Sequence, residues 1–239
     1  MYTANLADIY DAAHHFKNYE GEAEYVLDRI REHHPAPRSL LETACGTGRF
    51  LELMRPSFAE AAGLDLSAGM LARARERLPG VPLHQGDMAG FELGRRFDVI
   101  CCLFRSIGYV KTRDRLIVAI AAMARHLAPG GILLVEPFFR PDTYWVDRPI
   151  MNHHRSENLA IAWMYVSERE DLVARLRIHY LVGTSAGVQH FTEVHEFGLF
   201  DRRDFDEAFA AAGLTLAYDP QGPSGSGLYI GRPAAAGRG

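Results

Sequence analysis

Ser39-Leu40-Leu41-Glu42-Thr43-Ala44-Cys45-Gly46-Thr47-Gly48-Arg49-Phe50-Leu51 is an apolar run that breaks into a Gly-x-Gly turn and reopens as a helix. Ser39 to Cys45 has the short apolar character of a strand covered on both faces of a parallel sheet. Gly46 and Gly48 allow a sharp turn where a ligand can approach bare backbone. The stretch predicts the nucleotide-binding corner of an α/β fold. A dinucleotide fingerprint needs a third small residue to seat the helix against the strand, and Leu51 stands there, which argues against NAD or FAD. Glu42, inside the strand end, would repel a pyrophosphate but accept hydrogen bonds from an ammonium group or backbone amides, so the ligand should carry a positive end.

Two further acids occupy matching positions. Ala61-Ala62-Gly63-Leu64-Asp65-Leu66-Ser67 reads as a second strand ending in an acid, with Ser67 as N-cap of a helix from Ala68 to Leu78. A carboxylate at that strand end accepts both ribose hydroxyls of an adenosine, which makes Asp65 the ribose candidate. Leu83-His84-Gln85-Gly86-Asp87-Met88 is a third short strand whose end offers a carboxylate and an apolar side chain, suited to an adenine amino group and ring face. Either acid alone is equally a solvated loop residue; together, in strand-end register, they describe an adenosine site.

Alternation of strands and helices continues outward from this corner. Tyr19 to His33 carries apolar residues at helical spacing and stops before Pro35. Phe97 to Leu103 is a buried strand delivering Phe104 to Tyr109, and Thr112 caps a helix reaching His126. Pro129-Gly130-Gly131 turns into a fifth strand, Ile132 to Val135. This order predicts a parallel sheet with short connections. After Pro141 the pattern changes. Leu159 to Val166, Leu172 to Val182 and Val188 to Phe200 are β-branched and aromatic runs separated by turns at Glu168–Asp171 and Gly183–Gly187, read as an antiparallel lid. Asp201 caps a helix through Ala212, and Leu214 to Tyr218 with Gly227 to Gly231 forms a closing antiparallel hairpin. The expected organisation is one domain: a helical lid over 1–36, a cofactor-binding core over 37–140, the β insertion over 141–200, the last helix and hairpin over 201–232, and a disordered tail over 233–239.

Composition restricts the function classes. With 239 residues, 48% hydrophobic, the chain can bury one sizeable core. The 26 Lys and Arg against 30 Asp and Glu are scattered, which speaks against a nucleic-acid partner. Cys45, Cys101 and Cys102 fall in core strands without metal-ligand spacing, and read as reduced thiols of a cytoplasmic protein with no bound metal. No apolar run reaches membrane-spanning length and no signal-peptide pattern opens the chain.

The series Glu42-Thr43-Ala44-Cys45-Gly46-Thr47-Gly48, Gly63-Leu64-Asp65-Leu66-Ser67, His84-Gln85-Gly86-Asp87-Met88, Phe97-Asp98-Val99-Ile100 and Leu127-Ala128-Pro129-Gly130-Gly131 resembles the class I S-adenosylmethionine-dependent methyltransferases. Tyr2 and Tyr10, Lys17-Asn18-Tyr19, Phe104-Arg105-Ser106-Ile107-Gly108-Tyr109, Val135-Glu136-Pro137, Arg177-Ile178-His179-Tyr180 and Gly222-Pro223-Ser224-Gly225 narrow the likeness. They resemble the nucleotide-amino-sugar N-methyltransferases of antibiotic biosynthesis. The resemblance implies a Rossmann-like fold with a mostly parallel seven-stranded sheet, S-adenosyl-L-methionine as cofactor and S-adenosyl-L-homocysteine as product. It assigns Tyr19, Glu42, Ala44, Gly46, Gly48, Asp65, Leu66, Met70, Asp87, Met88, Leu103 and Phe104 to the cofactor. Tyr2 and Tyr10 go to the acceptor pocket, and Tyr109 lies close to the transferring methyl. A homodimer is compatible with the likeness.

Methyl transfer to nitrogen requires alignment, exclusion of water and a neutral amine, so the titratable candidates are Tyr109, Glu136, His179, His190 and His195. Tyr109 is favoured as an orienting hydroxyl, and His179, with Arg177 on the same strand, either meets the substrate or packs in the sheet. Trp145 either stacks on a substrate or pins the insertion. Departures from the family concern the acceptor. Ser226 stands where nucleotide-diphosphate-binding relatives commonly carry arginine, Arg105 stands where they have serine, and Phe138-Phe139-Arg140 replaces Trp-Trp-Phe. Arg105 either binds a carboxylate or phosphate or points to solvent. The expected activity is N-methylation of an amino sugar or related amine. O-methylation of a small molecule, and cofactor binding without chemistry, are the alternatives.

Overall fold

The computed structural model describes residues 4–234. Two helices open the fold: α1 (Ala4–Ala13) and α2 (Tyr19–His33). The Asn18 side chain accepts the Gly21 N–H at 3.1 Å and caps α2, whose first turn carries Glu20 and Glu22 and whose last carries Arg31 and His33, each sign complementing the helix dipole. Ala23, Val26 and Ile30 form its buried face, at the spacing the sequence predicts.

The core alternates β1 (Ser39–Thr43), α3 (Arg49–Met54), β2 (Glu60–Asp65), α4 (Ala68–Arg77), β3 (Leu83–Gln85), β4 (Phe97–Cys102), α5 (Arg113–Arg125) and β5 (Leu127–Val135). The chain then builds the lid strands β6 (Pro149–Arg155), β7 (Ala160–Glu170), β8 (Val173–Thr184) and β9 (Gly187–Gly198). It closes with α6 (Arg202–Ala211), β10 (Leu214–Asp219) and β11 (Leu228–Pro233). The expected caps are present: Ser67 accepts the Met70 N–H at 3.3 Å and Thr112 the Arg115 N–H at 3.3 Å. Asp201 and Asp204 exchange side chain and backbone in a capping box.

The main sheet has seven strands in the order β10-β11-β5-β4-β1-β2-β3. β3, β2, β1, β4 and β5 run parallel, and β11 is antiparallel to both its neighbours. Strand order reverses beside β1, and such a switch point opens a crevice beyond the carboxyl ends of β1 and β4. One face of the sheet packs Phe97, Ile100, Leu116, Ile120, Phe205 and Phe209; the other packs Val26, Ile30, Leu40, Leu51, Met54 and Leu134. Each such side chain contributes roughly 1.5–3 kcal/mol on burial, so a doubly covered sheet holds the strand ends rigidly.

Three expectations need correction. Pro129-Gly130-Gly131 lies within β5 as a bulge, with Gly130 at φ 78° and the register shifting between Phe97 and Val99. The insertion is a four-stranded antiparallel sheet, β6-β7-β8-β9, rather than three-stranded. Met151-Asn152-His153-His154-Arg155 is too polar to read as a strand, and pairing with β7 holds it as one. Glu168 to Glu170 continue β7, because the turn falls at Asp171, at φ 53°.

Candidate active site

Two cavities meet at the carboxyl ends of β1 and β4. The first, about 270 Å³, is lined by Glu42, Ala44, Gly46, Asp65, Leu66, Met70, Asp87, Met88, Leu103 and Phe104, with Tyr10 and Tyr19 from the N-terminal helices. The second, about 240 Å³, is walled by the inner face of the lid sheet and is rich in aromatic rings, among them Trp145, Trp163, Tyr165 and Phe197. Tyr10, Phe104, Ser106, Tyr109 and His195 border both.

The two glycines of the turn do different jobs. Gly46, at φ 56°, borders the first cavity and faces open space, whereas Gly48, at φ 78°, lies outside the lining and packs so closely that an added Cβ would sit 2.7 Å from Leu78 Cδ1. Gly48 therefore seats α3 against the end of α4. Asp65 accepts the Gly46 N–H and the Ser67 N–H, each at 2.8 Å. These bonds fix its carboxylate at the cavity wall, while burial raises its pKa against them. Glu42 is 3% exposed and its Oε2 is buried with no hydrogen-bond partner. Burial, and next the nearby Asp65, push its pKa well up. An unpartnered carboxylate oxygen in a cavity wall fits a ligand that brings a donor or a positive charge. That orphaned oxygen, with Asp65 and the apolar Leu66, Met70, Met88 and Leu103, fits S-adenosylmethionine: a cationic amino-acid end, a ribose and an adenine. Asp87 differs from expectation in having a partner already. Its Oδ1 accepts the Ala89 N–H at 2.9 Å and its Oδ2 meets Arg115 at 2.6 Å; burial raises its pKa, and these contacts outweigh burial and hold it low.

The turn after β4 is bent by two successive left-handed residues, Phe104 at φ 51° and Arg105 at φ 61°. The fully buried Glu136 holds this bend: its Oε2 accepts the Phe104 N–H at 2.7 Å and its Oε1 accepts the Ser224 hydroxyl. Arg105 is thereby turned into the second cavity rather than to solvent. Its Nε donates to Ser226 Oγ at 2.6 Å, its Nη2 to Ser224 Oγ at 3.1 Å, and its guanidinium lies 4.7 Å from the Phe139 ring centre. No carboxylate of the described residues pairs with it.

At the junction of the cavities, Tyr109 Oη and His195 Nδ1 are 3.1 Å apart. His195 is 5% exposed, and burial first, with His14 adding to it, lowers its pKa to about 4. His179, the histidine the sequence puts forward for catalysis while leaving sheet packing open, lies elsewhere. β8 turns Leu176, Ile178 and Tyr180 inward, so Arg177 and His179 lie exposed on the outer face, where His179 Nδ1 meets His190 Nε2 at 3.2 Å. Neither Arg177 nor His179 borders a cavity. On β9 it is His195 and Phe197 that point in. Trp145 lines the second cavity, its ring centre 4.6 Å from that of Phe139, and its Nε1 is buried without a partner. Tyr2 lies outside the described residues. Lys17 escaped the sequence reading as a functional group. Its ammonium is 4.1 Å from the Phe104 ring centre and 4.9 Å from that of Phe50, paired with Glu22 and shielded from solvent, so it braces the aromatic wall of the first cavity.

A family model described as a methyltransferase domain matches residues 14–218. The chain is 42% identical to the dTDP-3-amino-3,4,6-trideoxy-alpha-D-glucopyranose N,N-dimethyltransferase of Streptomyces venezuelae, over 98% of this chain and 100% of that protein. It is 39% identical to the dTDP-3-amino-3,6-dideoxy-alpha-D-glucopyranose N,N-dimethyltransferase of Streptomyces fradiae, over 99% and 94%. The crystal structure of Streptomyces venezuelae DesVI superposes with a TM-score of 0.92 over 98% of this chain and 100% of that one. The S-adenosylmethionine-bound CalS10, an amino pentose methyltransferase from Micromonospora echinaspora, superposes with a TM-score of 0.86 at 38% identity over 98% of each chain. With the family model spanning most of the chain and these relatives matching it over nearly their full length, the chain belongs to the methyltransferase-domain family, as an S-adenosylmethionine-dependent enzyme.

Proposed function

We propose that this enzyme methylates the amino group of an amino sugar carried on a nucleotide diphosphate. The observation that carries the reading is the junction: an aromatic acceptor cavity opens onto the cofactor cavity through Tyr10, Phe104, Tyr109 and His195. The relatives' names supply the amino-sugar nucleotide class. When bound, the cofactor supplies a methyl group on a positively charged sulfur. The chain's own task is to bring an amine lone pair into line with that methyl, exclude water and keep the amine unprotonated. Desolvation at the junction serves the last requirement, because the burial that lowers the pKa of His195 also disfavours an ammonium. Tyr109 orients the amine through its hydroxyl, and His195 orients Tyr109.

The same observation speaks against oxygen as acceptor. An alcohol must lose its proton to a base, and an imidazole with a pKa of about 4 is a poor one. Asp65 is the proposed ribose ligand, Glu42 the ligand of the cofactor's amino-acid end, and Asp87 with Met88 the adenine contact. Arg105, with Ser224 and Ser226, is the proposed ligand of the acceptor's diphosphate, supplied from the turn after β4. Trp145 stacks on the acceptor.

The outer face of the lid sheet exposes Met151 at 62%, Met164 at 53%, Leu181 at 48% and Val194 at 39%, an apolar surface suited to a second copy of the chain. Three free buried cysteines favour a reducing cytoplasm.

The deciding experiment incubates the enzyme with methyl-labelled cofactor and a panel of dTDP-linked amino and hydroxy sugars, reading products by mass spectrometry. Label on nitrogen supports the proposal; label on oxygen alone overturns it, and cofactor binding without turnover on any amine favours a binding protein. Sedimentation at micromolar concentration tests the dimer, which a monomer would refute.

A further inference from the structure

From Thr47, in the wall of the first cavity, a polar cluster that methyl transfer does not use reaches outward to the partly exposed Asp11 and Arg77. Thr47, between Gly46 and Gly48, is 3% exposed, and its hydroxyl donates to Asp11 Oδ1 at 2.7 Å. Arg77, on the last turn of α4, binds three partners. Its Nη1 donates to the Thr47 carbonyl at 2.6 Å, its Nη2 pairs with Asp11 Oδ2, and its Nε lies 3.2 Å from Glu52 on α3. Both polar groups of Thr47 that leave the turn are therefore spent on this cluster, and two of its members reach the same carboxylate.

Asp11 follows Tyr10, the residue of α1 that borders both cavities. Elsewhere along α1, among the described side chains, Ala7, Ile9, Tyr10 and Ala13 share an apolar cluster with Met70 of α4 and Ile161, Tyr180 and Val182 of the inserted sheet, and the Ala13 carbonyl accepts the Trp163 Nε1–H at 3.2 Å. Apolar packing of a smooth helix resists separation but fixes rotation and slide weakly, whereas a three-centre polar contact fixes both. The contact is also made to a glycine turn. Gly46 and Gly48 give the turn access to conformations that other residues avoid, and a ligand lying on Gly46 removes that freedom.

From this geometry we infer that Asp11, Thr47 and Arg77 form a latch through which occupation of the cofactor site fixes α1 and so completes the wall of the acceptor cavity at Tyr10. The three are positioning residues. A turn ordered by cofactor presents the Thr47 hydroxyl and carbonyl in the one arrangement that Asp11 and Arg77 grip. A turn without ligand presents them only part of the time. The coupling is entropic and needs no displacement of the sheet. The inference rests on the cofactor site alone and stands or falls separately from the identity of the acceptor.

The test uses the full chain and S-adenosylhomocysteine, at concentrations saturating for each variant as fixed by calorimetry. Amide hydrogen exchange of residues 4–13 is compared with and without this ligand in wild type, Asp11→Ala, Thr47→Val and Thr47→Ser. In wild type, saturation should slow exchange in α1 by about tenfold or more. In Asp11→Ala and Thr47→Val the slowing should fall below about twofold, and Thr47→Ser, which keeps the hydroxyl, should restore it. A merely structural role would speed exchange equally with and without ligand, leaving the ratio unchanged. That result in Asp11→Ala overturns the proposal, as does equal loss in Thr47→Val and Thr47→Ser. Thermal melts of the ligand-free variants identify any that fail to fold, and Asp11→Ala, whose side chain lies outside the cavity lining, then decides the matter.

Discussion

The cofactor corner and the lid sheet build their binding surfaces by opposite rules. In the corner, the proposed ligand groups sit at strand ends, where Glu42, Asp65 and Asp87 finish or follow β1, β2 and β3, and the parallel sheet carries all three to one cavity. In the lid, groups sit along strand faces, where a shift of one residue exchanges cavity for solvent. His179 and His195 are the same residue type on neighbouring strands; β8 turns the first outward and β9 turns the second inward. A strand end has one direction, and a strand face has two.

Each rule can be broken separately. The largest effect is expected in the corner. Asp65→Ala removes the proposed ribose ligand and strands the buried Ser67 amide, an unsatisfied group costing about 1–3 kcal/mol, along with the half-buried Gly46 amide. S-adenosylhomocysteine affinity, read by calorimetry, should fall at least about a hundredfold, roughly 3 kcal/mol. Binding within about threefold of wild type would remove Asp65 from the corner's logic.

The inward face of the lid has a pH signature. His195 titrates near 6.5 unfolded and at about 4 folded, so between these values the unfolded chain binds more protons. Its contribution is fully present above about 6.5 and is lost as pH falls toward 4, about 3 kcal/mol in all. Urea unfolding from pH 7 to 4 should show this slope in wild type, and His195→Phe should flatten it. An unchanged slope would mean that His195 is not held neutral by burial in the lid.

Parity is sharpened by paired variants. Tyr109→Phe, which removes the hydroxyl bonded to His195, should lower kcat about tenfold to a hundredfold, whereas His179→Ala on the outer face should stay within about twofold. Reversal of that order would restore the outward histidine to the reaction. A narrower change is expected at Arg105. Arg105→Gln should raise KM about tenfold for a nucleotide-linked acceptor, near 1.4 kcal/mol, and leave KM for the free amino sugar unchanged. The double variant Arg105→Ser with Ser226→Arg should recover part of the loss.

Legibility followed the same division. The β1 corner, the caps at Ser67, Thr112 and Asp201, and the buried faces of α2 and α5 were readable because each rests on local spacing or local hydrogen bonding. Strand β6 was not, because its polar residues become a strand only by pairing with β7. The separate roles of Gly46 and Gly48 were not either, because only the approach of Leu78 from the end of α4 distinguishes them. Lys17 and His195 owe their settings to residues far along the chain, Phe104 in one case and Tyr109 in the other.

By itself the sequence determined the alternation of strands and helices and an adenosine-type corner with three acidic strand ends, since periodicity, glycine placement and capping chemistry act over a few residues, while the family resemblance supplied the cofactor's name. Tertiary structure alone decided which histidine meets Tyr109, that Arg105 turns into the aromatic cavity beside Phe139 and the two serines, and that Asp11 accepts from Thr47 of the glycine turn. The physical reason is that a strand's two faces are equivalent until a neighbour covers one of them. The direction of a turned side chain is likewise unset until a buried partner such as Glu136 holds the backbone that carries it.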